Sequence, residues 1–234
     1  MSTSFTKLSL AVLCSTALLH GCSTTPVPGD GERAVSRYAD QRTGSAAADS
    51  DAVHIPPVPH DAAAEPMAAA AMNDYFNALQ ALRDGDDAGA ERLFRDIAER
   101  YPLLSGPWVN LGLIALRQDR FEEAESALQR ALEVNPRNPY AHNALGLALR
   151  EQGRFRDART HYQQAVTLDP MYARAHFNLG VLAELYLQQP ADALAHFRRY
   201  QALQKQPDQT VANWIVDLER RVPQAAVAAE DTQS

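Results

Sequence analysis

From about residue 71 onward, apolar residues recur at i, i+3, i+4 and i+7, the spacing of one face of an α-helix. Trp108, Leu111, Gly112 and Ala115 form one such stripe, and His142, Leu145, Gly146 and Leu149 occupy the same places in the next. Each is followed by a second stripe: Ala124, Leu128 and Ala131, then Ala158, Tyr162 and Ala165. Turn-like residues, "QDR" and "QGR", separate the two stripes. Pro136 and Pro170 end the second helix, because proline lacks the backbone donor and its ring clashes with the preceding turn. The predicted unit is a helix pair, and it is copied. Asn-Leu-Gly at 110–112 becomes Ala-Leu-Gly at 144–146 and Asn-Leu-Gly again at 178–180, a step of 34 residues shared by Pro102, Pro136 and Pro170 and by Ala90, Ala124 and Ala158. A fixed period of that length marks a repeat architecture.

Glycine inside a helix costs about 1 kcal/mol relative to alanine. Gly112 and Gly146 therefore imply a close approach, with Ala124 and Ala158 as the small residues where the antiparallel helices cross, and Phe121 and Phe155 placed to cover the turns. A single pair leaves an apolar face bare, so pairs must stack on one another.

These residues resemble the tetratricopeptide repeat family, whose pattern sets a Trp, Leu-Gly, Tyr, Ala, Phe, Ala and Pro at fixed places. Repeat two (105–138) carries Trp108, Leu111, Gly112, Ala124, Leu128, Ala131 and Pro136; repeat three (139–172) carries His142, Leu145, Gly146, Ala158, Tyr162, Ala165 and Pro170. Repeat four, from Ala173, keeps His176, Leu179 and Gly180, but its turn "YLQQP" is one residue longer and moves Ala193 and Phe197 out of step. Repeat one (71–104) matches in its second helix (Ala90, Phe94, Pro102) and departs in its first, where Asn77 and Ala78 replace Leu-Gly. The resemblance implies an all-α fold, a right-handed solenoid of about four repeats over 66–206. "DQTVANWIVDLERRV" then reads as a capping helix over 207–222, with Val211, Trp214, Ile215 and Leu218 as its apolar stripe, followed by a disordered tail at 223–234.

In the family the first helices line a concave, ligand-binding side. Carried over by position, the groove is Val109, Asn110, Leu113, Leu116 and Arg117 from repeat two, Tyr140, Asn143, Leu147 and Arg150 from repeat three, and Arg174, Phe177, Asn178, Val181 and Glu184 from repeat four, with Tyr75, Leu79 and Leu82 from repeat one. A carboxamide offers both donor and acceptor, which suits an extended peptide backbone. The same asparagines could equally bond only the neighbouring repeat. The apolar neighbours point to an apolar or aromatic segment of a partner, with Arg117, Arg150 and Arg174 at the rim.

The first 70 residues have a different character. Met1–Gly21 carries Lys7 and a mostly apolar run from Leu8 to Leu19, an export signal too short for a membrane span. Its end, "LLHGCS", resembles the lipobox of bacterial lipoproteins, with Cys22 as the acylated residue and His20 the departure from the usual pattern. Processing there would remove Cys14 and leave no pair of cysteines for a disulfide. By the family's habits, Ser23 after the cysteine favours the outer membrane, facing the periplasm. Residues 22–65, rich in Pro, Ala, Ser, Gly and Asp, lack the apolar surface to fold and read as a tether about 35–40 Å long.

Candidate chemistry is sparse. His54, His60 and Asp61 lie on the tether without the rigid surroundings a metal needs, and His142 and His176, one repeat apart, read as packing residues. The charged stretches "EEAE" and "RFRDAR" read as solvated outer faces. No G-x-S-x-G, H-E-x-x-H or Walker loop occurs, so the sequence points away from an enzyme, and no cofactor or small-molecule substrate is implied. A net charge of −7 argues against nucleic acid. The expectation is a lipid-anchored adaptor for a protein or peptide partner, in pilus or secretion-machine assembly; the alternative is a scaffold that recruits peptidoglycan-processing enzymes.

Overall fold

The computed structural model describes residues 64–222 in full and the backbone of the last helix to Asp231. The signal segment, Cys22 and the tether, with His54 and His60, lie outside the described residues, as do 232–234. Among the described residues there are helices and no strands: α1 (Ala64–Arg83), α2 (Asp87–Arg100), α3 (Ser105–Arg117), α4 (Phe121–Val134), α5 (Pro139–Glu151), α6 (Phe155–Leu168), α7 (Ala173–Leu185), α8 (Pro190–Leu203) and α9 (Gln209–Asp231). Consecutive helices pack in pairs, and each second helix also packs on the first helix of the next pair. The apolar interior accordingly runs along the stack, from Phe94 and Ile97, through Leu128, Leu149 and Tyr162, to Phe197, Trp214 and Leu218.

The helix crossings explain the internal glycines. A β-carbon on Gly112 would lie 2.5 Å from Leu128 Cγ, one on Gly146 2.7 Å from the Tyr162 ring, and one on Gly180 2.6 Å from the Phe197 ring. The close partner is thus the large side chain of the second helix. At Gly146 the Ala158 carbonyl oxygen follows at 3.1 Å, so the alanine matters by letting the backbones close. The extra residue in the fourth turn is real: α7 and α8 are separated by Tyr186–Gln189, where the preceding pairs have three residues, and Phe197 still reaches Gly180.

The turn inside each helix pair contains one left-handed residue, Gly85, Asp119, Gly153 and Gln188 in order. The first three keep the 34-residue step. Between repeats, Asn138 is a hinge pin that is 1 % exposed. Its Oδ1 accepts the backbone N–H groups of Tyr140 and Ala141, capping α5, while its Nδ2 donates to Ser105 Oγ at 3.1 Å.

Two features depart from the sequence reading. Glu125 and Arg154, placed above on solvated faces, meet each other across a repeat boundary at 2.7 Å, and Glu91 and Arg120 do the same one repeat earlier at 2.9 Å. At the third junction an arginine instead donates to an uncharged amide, Arg159 to Gln189 at 3.3 Å. The last helix also runs through Pro223 to Asp231 instead of stopping at Val222. The alanine-rich run after Pro223 has high helix propensity, which works against the helix-breaking effect of the proline. Val211, Trp214 and Leu218 are buried as the capping stripe requires.

Gly146→Ala should destabilise the chain by about 1–2 kcal/mol, the cost of overpacking less the gain in helix propensity. Urea unfolding at 25 °C measures it. Asn138→Ala, which removes a helix cap and strands the buried Ser105 hydroxyl, should cost about 2 kcal/mol. Asn138→Asp keeps the cap acceptor and should cost less in the same assay.

Candidate peptide-binding groove

The first helices form a row, α3 against α5 and α5 against α7. Asn110 joins α1 to this row: its Nδ2 donates to Tyr75 Oη at 2.6 Å and to the Gly106 carbonyl at 3.0 Å. Burial pushes the Tyr75 hydroxyl well above the ordinary tyrosine value, against the pull of the Asn110 hydrogen bond. Further along, Asn178 Nδ2 donates to Asn143 Oδ1 at 2.9 Å and Asn143 Nδ2 donates to Tyr172 Oη at 3.2 Å. All three asparagines are buried. These bonds clamp neighbouring repeats together and engage one N–H of Asn178, one N–H and the oxygen of Asn143, and the Nδ2 of Asn110.

The row divides the sequence-selected residues into two groups. Val109 and Val181 are buried and belong to the interior. Phe177 is half-buried against Tyr200 (5.2 Å between centroids), Phe197 (6.0 Å) and Trp214 (6.1 Å), so the capping helix closes over this end of the row. Leu113, Leu116 and Leu147 remain half-buried, as do Leu82 and Tyr140, whose ring tilts on Tyr172 at 4.9 Å. Leu79, 7 % exposed, belongs with the interior of repeat one. The half-buried residues give the row its apolar surface.

The polar rim is largely committed to intramolecular pairs. Arg117 meets Asp87 at 2.7 Å, Arg150 meets Glu151 at 2.9 Å, and Glu184 meets Arg221 of the capping helix at 2.5 Å. Arg174 is half-buried at the start of α7. Arg150 is the most enclosed of the rim cations, its side chain 12 % exposed, and its Nε has no hydrogen-bond partner among the described residues. The buried Tyr162 hydroxyl is likewise without one. Burial pushes that hydroxyl up to about 12, with the Arg150 charge opposing, so it stays a neutral phenol.

On the second-helix side, a notch of about 300 Å³ lies between α4 and α6, lined by Glu125, Gln129, Arg154, Asp157, Thr160 and His161 over Leu145 and Leu149. It lies behind α5 rather than on the row. His142 and His176 each lie against a histidine of their own second helix, His161 and His196, with ring centroids 5.3 and 5.6 Å apart. The sequence reading placed His142 and His176 in packing positions but did not find these partners. Among the described residues no group of three or more His, Cys, Asp or Glu could hold a metal ion. No described helix is long and apolar enough to cross a membrane.

Known proteins place this architecture. A tetratricopeptide repeat model matches residues 109–155 and a second TPR repeat model matches residues 146–185. No curated protein sequence matches the chain. Among solved structures, PilF of Pseudomonas aeruginosa is 24 % identical, with 73 % of each chain covered and a TM-score of 0.57. A MamA double mutant is 18 % identical over 70 % of this chain and 90 % of that one, with a TM-score of 0.56. An O-GlcNAc transferase mutant of Thermobaculum terrenum is 29 % identical over 58 % of this chain and 27 % of its own, with a TM-score of 0.52. The described residues thus form an all-α fold of the tetratricopeptide type, with the repeats themselves recognised over 109–185.

Proposed function

We propose that this chain is a non-catalytic adaptor that holds a peptide segment of a protein partner across the row of first helices. The observation that carries the reading is the apolar surface of Leu113, Leu116 and Leu147, left half-buried beside asparagines that hydrogen-bond across repeat boundaries. A partner segment with apolar or aromatic side chains would complete the burial of these leucines. Backbone recognition would fall to the carboxamide oxygens of Asn110 and Asn178, with Tyr140, Arg117 and Arg174 at the edges. The contacts of Asn143 and Phe177 within the protein make them supports of this surface, and Val109 and Val181 hold it from beneath.

The setting we propose is the bacterial cell envelope. Acyl chains on Cys22 would hold the protein on the periplasmic side of the outer membrane, since two or more chains anchor stably. Within that setting we place it in pilus or secretion-machine assembly; the likeness to PilF extends to the fold.

Leu147 tests the groove because its side chain lies on the row at half burial. Leu147→Glu should leave the helical circular-dichroism signal and unfolding midpoint near those of the parent. It should lower by at least tenfold the recovery of a partner crosslinked to the parent in membranes. Equal recovery would rule the row out as the docking surface. The mass of the mature N-terminal peptide tests the anchor separately: acylated Cys22 is expected, and an unmodified thiol would overturn it.

A further inference from the structure

Repeats three and four share a contact that repeats one and two lack. His142 Nδ1 lies 3.1 Å from His161 Nδ1, and His176 Nδ1 lies 3.3 Å from His196 Nδ1. In both pairs the first histidine turns its other nitrogen toward the carbonyl of the proline that precedes its helix, Nε2 to Pro136 O at 3.1 Å and Nε2 to Pro170 O at 3.2 Å. A carbonyl can only accept, so Nε2 of His142 and His176 carries the proton and donates it. In the neutral ring Nδ1 is then a bare lone pair. The facing Nδ1 of His161 or His196 must therefore be the N–H that donates to it. The tautomers of all four rings follow from these two contacts per pair.

This arrangement sets how many protons a pair can accept. A first proton fits on Nε2 of His161 or His196, away from the shared contact. The second would have to enter the Nδ1 lone pair of His142 or His176, and two N–H groups would then oppose each other at about 3 Å with a positive charge on each ring. The surroundings do not relieve it. Asp157 and Glu125 face His161 with the Arg154 cation between them; His142 meets only burial and the Pro136 carbonyl. Around the second pair stand Asp169 and the Arg199 cation beside His176, and Asp192 beside His196. Burial is the first cause acting on all four rings, and it lowers each below the ordinary imidazole value.

We propose that the two histidine pairs are acid-sensitive latches, which hold α5 to α6 and α7 to α8 only while at least one ring of each pair is neutral, so that acidification loosens repeats three and four selectively. The sign follows from linkage. Groups whose folded value is depressed leave the unfolded chain holding more protons, so stability rises with pH. The contribution is complete above about pH 6.5, the ordinary imidazole value, and is lost as pH falls below it toward the lower folded value. Repeat two supplies the internal comparison: Trp108 and Ala127 stand at the positions of His142 and His161, and they pack there as neutral groups. The same two helical positions thus accept either a large and a small apolar residue or a pair of imidazoles.

The test is urea unfolding of the full chain between pH 7.5 and 5.5, against a variant that transplants the repeat-two solution into both later repeats (His142→Trp with His161→Ala, His176→Trp with His196→Ala). The parent's unfolding constant should rise by about tenfold per pair more than the variant's over that range, about a hundredfold in all. Equal pH dependence in parent and variant would overturn the proposal. Should the variant not fold, proton NMR titration of the parent's imidazoles decides alone. One ring of each pair should remain neutral at pH 5.5, and four rings all charging near pH 6.5 would refute the latch.

Discussion

The contact on which the structure depends is the seating of one large side chain in the space left by a missing β-carbon. Leu128 on Gly112, Tyr162 on Gly146 and Phe197 on Gly180 set the distance between the helices of each pair, because at 2.5–2.7 Å no alternative side chain fits. Interiors at native density transmit such a constraint instead of absorbing it. The crossing fixed in each pair exposes the same apolar flank each time. The next pair covers that flank, and the stack follows with its lengthwise core. The cost of glycine in a helix, about 1 kcal/mol, is offset by burying an entire aromatic or leucine side chain against backbone. Repeat one reaches the same end differently. It lacks Leu-Gly in α1, and Tyr75 instead leans on Phe94 at 5.3 Å and packs over Gly106 of the following helix.

The glycine contact was visible in the sequence because it is periodic and chemically unusual. A glycine that recurs inside a helix at a 34-residue step, against its propensity cost, requires a close crossing at that point. The one-residue insertion in the fourth turn was legible for the same reason, since it displaced Phe197 from an otherwise fixed position. The links between repeats were less so. Glu125 and Arg154 are 29 residues apart, and their meeting depends on how far one pair rotates relative to the next, which hydrophobic periodicity does not encode. Reading "EEAE" and "RFRDAR" as solvated faces missed that geometry, although Glu91 with Arg120 and Glu125 with Arg154 are themselves one repeat apart. The histidine contacts escaped for a related reason. Each joins residues 19 or 20 apart within one repeat, where a search for equivalent positions one repeat apart does not look.

The candidate groove separates along the same physical line. Residues chosen by position fell on the intended row of helices, but a position does not determine which way a carboxamide bonds. Asn110 donates to Tyr75, Asn143 to Tyr172 and Asn178 to Asn143. That use is favoured because an unsatisfied buried amide costs about 1–3 kcal/mol, whereas its hydrogen bond to a transient ligand is absent whenever the ligand is. The asparagines thus stabilise the row in the unbound state. The half-buried leucines keep part of their apolar area uncovered in the same state.

A division of labour within the repeat follows. Positions facing the glycine admit only a side chain of the right bulk, and three repeats fill them with Leu, Tyr and Phe. Positions at the perimeter of the same helix pair admit different chemistry, because their neighbours include solvent and a proline carbonyl as well as packed atoms. Trp108 with Ala127 and His142 with His161 occupy equivalent perimeter sites without altering the crossing. A solenoid built this way can acquire a titratable contact in one repeat and leave the next unaffected, since the geometry is fixed by the glycine and its partner. Because stability in such a stack is approximately a sum over repeats and their interfaces, a change confined to one perimeter site alters the stability of its own repeat first.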